Sequence, residues 1–409
     1  MSADVRRILS AQALRAFAYG FGSVLLGVLL EARHWSSTEV GALLTAIVAG
    51  TALMSVAVGT FGDRIGRRRF YLGLFLALAA AGAVFALTEE FWVLVGVALT
   101  GALSTEAVES GPFTSLEQAM LPASVKSGST TRTFGTYNAV AALAGAVGAL
   151  AAGGPKLLRD AIPGIPADER FFFVFVPVAI LGAIVASSLS EEVEAGRQAR
   201  LGLPLHRSRR AVAGLAGLFA VDAFAGGFVT QSFIVYWFRV KFDVPLEALG
   251  GIFFAVALLQ AASFIAATRI AERFGLLNTM VFTHLPSNLL LAAIALAPNL
   301  GVAIVLLFAR YALSQMDVPT RQAYIVALVD PDERTAAAAY TNSARYLARP
   351  FGPVLAGVSQ QAVLGLPFFL GGGIKVVYDL ALWSWFRRVP VDATANATPA
   401  AMVAKEGSP

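Results

Sequence analysis

An all-α membrane protein of twelve transmembrane helices, arranged as two parallel six-helix repeats, is the fold class this sequence predicts. Three observations lead there. The composition is strongly apolar, apolar stretches long enough to span a bilayer recur along the chain, and the second half repeats short segments of the first at a near-constant offset.

Hydrophobic residues fill 57% of the 409 positions and charged residues 14%, with a mean hydropathy of +0.70. A soluble chain of this length needs far more polar surface. There is no cysteine, which excludes disulfides, thiolate catalysis and cysteine-based metal sites. The three histidines, His34, His206 and His284, are too widely spaced to suggest a metal site, and neither a metal nor a cofactor is expected. The formal charge of +5 comes from basic residues scattered over short connections rather than gathered on one face, so no nucleic-acid partner is expected. The N-terminus, MSADVRRILS, carries Arg6 and Arg7 ahead of an apolar run without a small-residue cleavage pattern, and reads as a retained first span.

In order, the expected spans cover residues 9–32, 39–61, 70–88, 91–112, 133–154, 171–190, 211–238, 247–268, 276–297, 299–320, 335–358 and 363–386. Each is long enough to cross roughly 30 Å of hydrocarbon. Small residues, as in AVAALAGAVGALAAGG at 139–154, suit close helix packing in lipid. Lys and Arg concentrate in alternate connections, including FGDRIGRRR and EEVEAGRQARLGLPLHRSRR, whereas TEE at 88–90 and PNL at 298–300 carry none. The positive-inside rule then places both termini in the cytoplasm of a cell-membrane protein. The polar stretch 191–210 divides a first bundle (1–190) from a second (211–388), and residues 389–409 read as a disordered cytoplasmic tail.

The repeat is explicit. RAFAYGF at 15–21 returns as DAFAGGF at 222–228, FGDRIG at 61–66 as IAERFG at 270–275, and TYNAV…GAVGALAAG from 136 as YTNSA…RPFGPVLAG from 340. The offsets are 207, 209 and 204. Two parallel repeats related by an axis along the membrane normal enclose a central cavity between them.

The most specific motif is GTFGDRIGRRRFY, 59–71, between the second and third spans. Gly59 removes a side chain where helices are expected to approach, Gly66 permits a tight reversal, and Asp63 suits the positive end of a neighbouring helix. The stretch resembles the signature loop of the major facilitator superfamily, G-x-x-x-D-R-x-G-R-R, in full at Gly59, Asp63, Arg64, Gly66, Arg67 and Arg68. The resemblance covers residues 5–388 and points to the bacterial twelve-helix drug and organic-solute branch. It implies that the loop bridges helix 2 to helix 11 and steadies an outward-facing state, with Asp63, Arg64 and Arg67 in gating; Arg68 and Arg69 also suit anionic lipid. The second copy keeps Glu272 and Arg273 without the basic run, an asymmetric gate.

Charged residues inside spans are the candidate cavity. Gln12, Arg15 and Tyr19 form one stripe on the first helix; Asn342, Arg345 and Arg349 form another on the eleventh. Arg310 and Asp317 belong to the tenth, Glu106 and Glu109 to the fourth, Asn138 to the fifth and Asp222 to the seventh. The resemblance places helices 1, 4, 7 and 10 around the cavity and 2, 5, 8 and 11 at the interface of the halves. Arg15 and Asp222, equivalent in the two repeats and opposite in charge, are expected to face that cavity, where they meet each other, a substrate or a proton. Asp222 and Glu106 are the candidate proton carriers. Lys375 and Asp379 are expected to neutralise each other across one helical turn, and His284 to be structural.

The expected function is secondary active transport of a small organic solute by a monomer, by alternating access, with protons as coupling ion and efflux as direction. No Walker sequence or nucleophile-base constellation points to an ATPase or another enzyme. The G-P motif of the family's drug and proton antiporters is absent from helix 5, where Ala149 follows Gly148, and helix 4 lacks their arginine. The spare arginines favour an alternative, an importer or uniporter of an organic anion or zwitterion. A lipid transporter or scramblase, or a transporter-shaped receptor, completes the set.

Overall fold

The computed structural model describes residues 2–33, 35–105, 111–121, 130–162, 164, 168–194, 205, 207–329 and 333–389. The first half contains α1 (Ala3–Ala32), α2 (Ser37–Ile65), α3 (Arg67–Leu87), α4 (Phe91–Ala98), α5 (Pro112–Met120), α6 (Thr130–Ala151), α7 (Gly154–Ala161) and α8 (Phe175–Ser187). The second contains α9 (Arg209–Gly227), α10 (Gln231–Phe242), α11 (Leu246–Phe274), α12 (Leu276–Ile294), α13 (Leu300–Ser314), α14 (Asp317–Leu328), α15 (Arg334–Ala348), α16 (Phe351–Ala362) and α17 (Leu366–Phe386). No strand occurs among the described residues. Local chemistry starts these helices: Ser2, Thr230 and Asn299 each accept a backbone N–H of the first turn, and Ser36 with Glu39 forms a reciprocal capping box.

The repeat is carried by the backbone. Shifting Ser37–Ile65 by 209 residues reproduces both ends of Leu246–Phe274, and α3 and α12 start 209 residues apart. Between α2 and α3 the motif has almost no loop. The helix runs through Asp63 and Arg64 to Ile65, Gly66 alone breaks it with φ +99°, and α3 begins at Arg67. Gly275 does the same between α11 and α12 with φ +83°. Side chains resist that backbone region.

Nine helical stretches among the described residues are long and apolar enough to cross a membrane, rather than twelve. The expected spans 91–112, 133–154 and 335–358 are not among them. The first is broken between α4 and α5, where Gly101 takes φ +71° and Pro112 opens the second piece. The last is interrupted at Arg349 and Pro350, which separate α15 from α16. Of the second, Thr136–Ala151 is apolar but too short to qualify.

Within the first half α1 lies against α6 with backbones nearly touching: a Cβ on Gly20 would sit 2.0 Å from the Gly145 carbonyl oxygen. Between the halves, contacts gather at the end of the bundle remote from the 59–71 motif. There α1 packs on α10, α2 on α16 and α6 on α11. Gln231 donates to Ser23 Oγ at 2.9 Å, and Ser232 Oγ donates to the Ser23 and Thr105 carbonyls at 2.9 and 3.2 Å. Glu31 pairs with Arg239 at 3.1 Å, and Gln361 donates to Thr38 Oγ1 at 2.5 Å. Gly41 and Gly357 bring α2 and α16 together, a Cβ on the former lying 3.0 Å from the Cα of the latter. At the motif end the expected close approach at Gly59 is absent, since nothing lies within 4 Å of its Cβ position.

Candidate functional site

Each half buries one ionic network. In the first, α1 carries Arg15 on the face that packs inward, 3% exposed. Its Nε and one Nη donate to the two Glu117 oxygens at 3.3 and 2.9 Å. Tyr71 of α3 and Tyr137 of α6 donate to the same carboxylate at 2.7 and 2.6 Å. One fully buried carboxylate thereby ties together four helices and accepts four hydrogen bonds. The Arg15 guanidinium also lies 5.4 and 5.6 Å from the ring centres of Tyr19 and Phe113.

In the second half Asp222 of α9 is the hub. Lys375 of α17 reaches one of its oxygens at 2.5 Å and Arg345 of α15 the other at 3.2 Å. Arg321 of α14 lies 3.8 Å away and pairs more closely with Asp317, at 2.6 Å. His284 of α12 has Nε2 4.0 Å from Asp222 and Nδ1 2.9 Å from Asp379, which also accepts from Asn288 at 2.8 Å. Three carboxylates and three Lys or Arg cations surround one imidazole.

These contacts bear on three expectations and overturn one, the mutual neutralisation of Lys375 and Asp379. Arg15 and Asp222 are equivalent in the repeats but do not meet, because each finds its counter-charge inside its own half. Lys375 and Asp379 do not neutralise each other; they point to Asp222 and to His284 with Asn288. His284, expected to be structural, is buried within the network and in contact with Asp379 and Asp222.

Arg310 stands apart: it is buried on the inner face of α13, its Nε and Nη1 have no hydrogen-bond partner, and its guanidinium lies 4.6 Å from the Tyr311 ring centre. Gln12 is fully buried with both amide atoms unpartnered. Tyr19 donates to the Ala102 carbonyl at 3.1 Å. Asn138 and Asn342 are exposed, and Arg349 is half-buried. Glu106 and Glu109 lie outside the described residues, as does the tail from 390 onward and much of the 191–210 connector.

At the motif, Arg67 donates to the Ala119 carbonyl at the end of α5 at 2.9 Å, and Arg68 to the Ser187 carbonyl at the end of α8. Cations at helix C-termini are favourable placements. Glu194, from the start of the connector, accepts the backbone N–H groups of Arg67 and Arg68 at 2.7 and 3.2 Å, an anion at the positive end of α3. Arg64, Glu272 and Arg273 are exposed.

Two residues of the networks, Glu117 and Arg321, escaped the sequence reading because both lie just past the assigned ends of spans four and ten. The available signal was helical periodicity: Phe113, Glu117 and Met120 share the buried face of α5. Their neighbours in sequence are polar enough to end a hydropathy window early.

Broken helices, twofold internal repetition and charges sealed within an apolar bundle define a class, the membrane transporters that rock two halves about a central path. The family model of the Major Facilitator Superfamily matches residues 8–353, and the chain belongs to that superfamily. It is a multi-pass membrane protein of a transporter superfamily, not an enzyme. A curated relative, the uncharacterized membrane protein YJR124C of Saccharomyces cerevisiae, is 25% identical over 94% of both chains. Among solved structures, the D-xylose-proton symporter matches 97% of this chain and 100% of its own at 13% identity and a TM-score of 0.74. The nucleoside transporter NupG matches 93% and 99% at 13% identity and 0.73.

Proposed function

We propose that this chain is a proton-coupled secondary transporter of a small organic solute, in which Glu117 is the proton-responsive group. The observation that carries the reading is the Glu117 site: protonation would remove the charge that holds Arg15 and loosen α1, α3, α5 and α6 at once. The halves, taken as 1–190 and 211–388 joined by 191–210, meet at the end remote from the motif. The Lys and Arg distribution assigns the motif end to the cytoplasm, so this conformation is the inward-open one. In that conformation Arg67 and Arg68 are engaged with their own half, and closing the cytoplasmic end is the step in which Arg64 would reach the second half. Exchange of solute against an inward proton gradient gives efflux.

The test is a thermal-shift screen of purified protein against drugs, sugars, organic acids and siderophores, followed by proteoliposome transport of the hits under imposed pH gradients. Gradient-driven accumulation is expected in the natural protein and its loss in Glu117→Gln, with solute counterflow retained. Transport indifferent to both the gradient and Glu117→Gln would overturn the coupling assignment.

A further inference from the structure

The buried cations among the described residues are not all paired, and the exception sits at one place. Four Lys or Arg side chains are buried among the described residues: Arg15, Arg310, Arg321 and Lys375. Three of them lie in ion pairs of 2.5 to 2.9 Å with Glu117, Asp317 and Asp222. Arg345, half-buried, shares Asp222. Asp379, the remaining buried acid of the second network, is bonded to His284 and Asn288. Arg310 alone among these four buried cations has no carboxylate partner among the described residues, and two of its nitrogens have no acceptor there.

A guanidinium does not lose its proton inside a protein, so it cannot escape burial by becoming neutral as a lysine can. An unpaired buried charge is among the costliest features a fold can carry. The residue one helical turn further along the same buried face, Ser314, also has an unpartnered hydroxyl. The Tyr311 ring beside the guanidinium adds a face that favours a cation without supplying a counter-charge. Hydrogen-bond donors thus stand ready on one face of α13 with no acceptor among the described residues.

We infer that Arg310 and Ser314 form the recognition element for an anionic group, a carboxylate or phosphate, on the transported solute. The inference rests on the transporter reading above and narrows its substrate to organic anions. The same anionic chemistry occurs on lipid headgroups, so the experiment separates the two sources.

Full-length protein purified in detergent is melted with benzoate, succinate or glycerol 3-phosphate, with the neutral counterparts benzyl alcohol, 1,4-butanediol and glycerol, and with phosphatidylglycerol micelles. The natural protein is expected to melt several degrees higher with at least one soluble anion and to ignore the neutral counterparts. Arg310→Gln is expected to weaken that response at least tenfold, and Arg310→Lys to keep part of it. Without ligand, Arg310→Gln is expected to melt no lower than the natural protein, whereas Arg15→Gln, which strands Glu117, melts lower. A ligand-free loss of several degrees in Arg310→Gln shows an internal partner and overturns the assignment. So does a natural protein unaffected by every anion, one stabilised by phosphatidylglycerol alone, or an anion response that survives in Arg310→Gln. Proteoliposomes distinguish the two readings: a neutral solute carried equally by the natural protein and Arg310→Gln refutes the anion site and leaves transport standing, while absence of transport for every solute refutes transport itself.

Discussion

Arg15 costs roughly 2.5 to 3.5 kcal/mol on translocon scales if it faces lipid, and the structure removes that penalty by giving it Glu117 at 2.9 Å in a site shielded from lipid and water. Truncating one member of such a pair typically costs about 3 to 5 kcal/mol, whereas replacing both by apolar groups is often close to neutral. Arg15→Met is therefore expected to lower the melting temperature in detergent markedly, and Arg15→Met combined with Glu117→Leu to recover most of the loss. Transport should fail in both. If the double variant restores transport along with stability, the pair is a structural fastener and not part of the working site. Asp222 differs in kind, because Lys375 and Arg345 approach its two oxygens and losing one still leaves the other. Lys375→Met should accordingly be milder than Asp222→Asn, which strands both cations, in melting temperature and in transport.

Among the elements, helices read most accurately where their apolar runs were uninterrupted: α2 and α3 depart from their expected spans by a few residues at either end. The broken helices were not legible. A hydropathy window cannot tell a continuous span from α4 and α5 with a kinked segment between, since the interruption depends on Gly101 and on whether the freed carbonyls find partners across the halves, as Thr105 does with Ser232. The repeat identified Arg15 and Asp222 as equivalents, but partner choice is tertiary, and Glu117 and Lys375 come from elements far away in sequence. At the one-residue joints, a side chain costs about 1 to 3 kcal/mol in backbone strain. Gly66→Ala should be worse than Gly275→Ala, because its Cβ would also lie 3.3 Å from the Glu194 carboxylate that anchors α3, whereas open space surrounds Gly275. Comparing melting temperatures of the two variants checks this, and equal effects would show that the Glu194 contact is immaterial.

For the molecule as a whole, alternating access requires the contacts at the end remote from the motif to part on every cycle. The chain contains no cysteine, so Thr38→Cys with Gln361→Cys introduces the two thiols alone, at side chains in direct contact across the halves. A short bis-methanethiosulfonate cross-linker, which forms a disulfide with each thiol, is expected to join α2 and α16 and abolish transport, with activity returning on reduction. Continued turnover in the linked protein would mean that the halves do not separate there.

The connector between the halves is fastened at both ends. Glu194 is seated on the first turn of α3, and Glu333 accepts the backbone N–H groups of Arg207 and Ser208 at 2.9 and 3.0 Å, just ahead of α9. Twelve residues separate those two moorings, and at no more than about 3.3 to 3.6 Å per residue their number bounds how far apart the moorings can move. That bound limits how far the halves can part at the motif end, so trimming the connector is expected to narrow the opening there, and freeing Glu194 removes both a mooring and the anion at the first turn of α3.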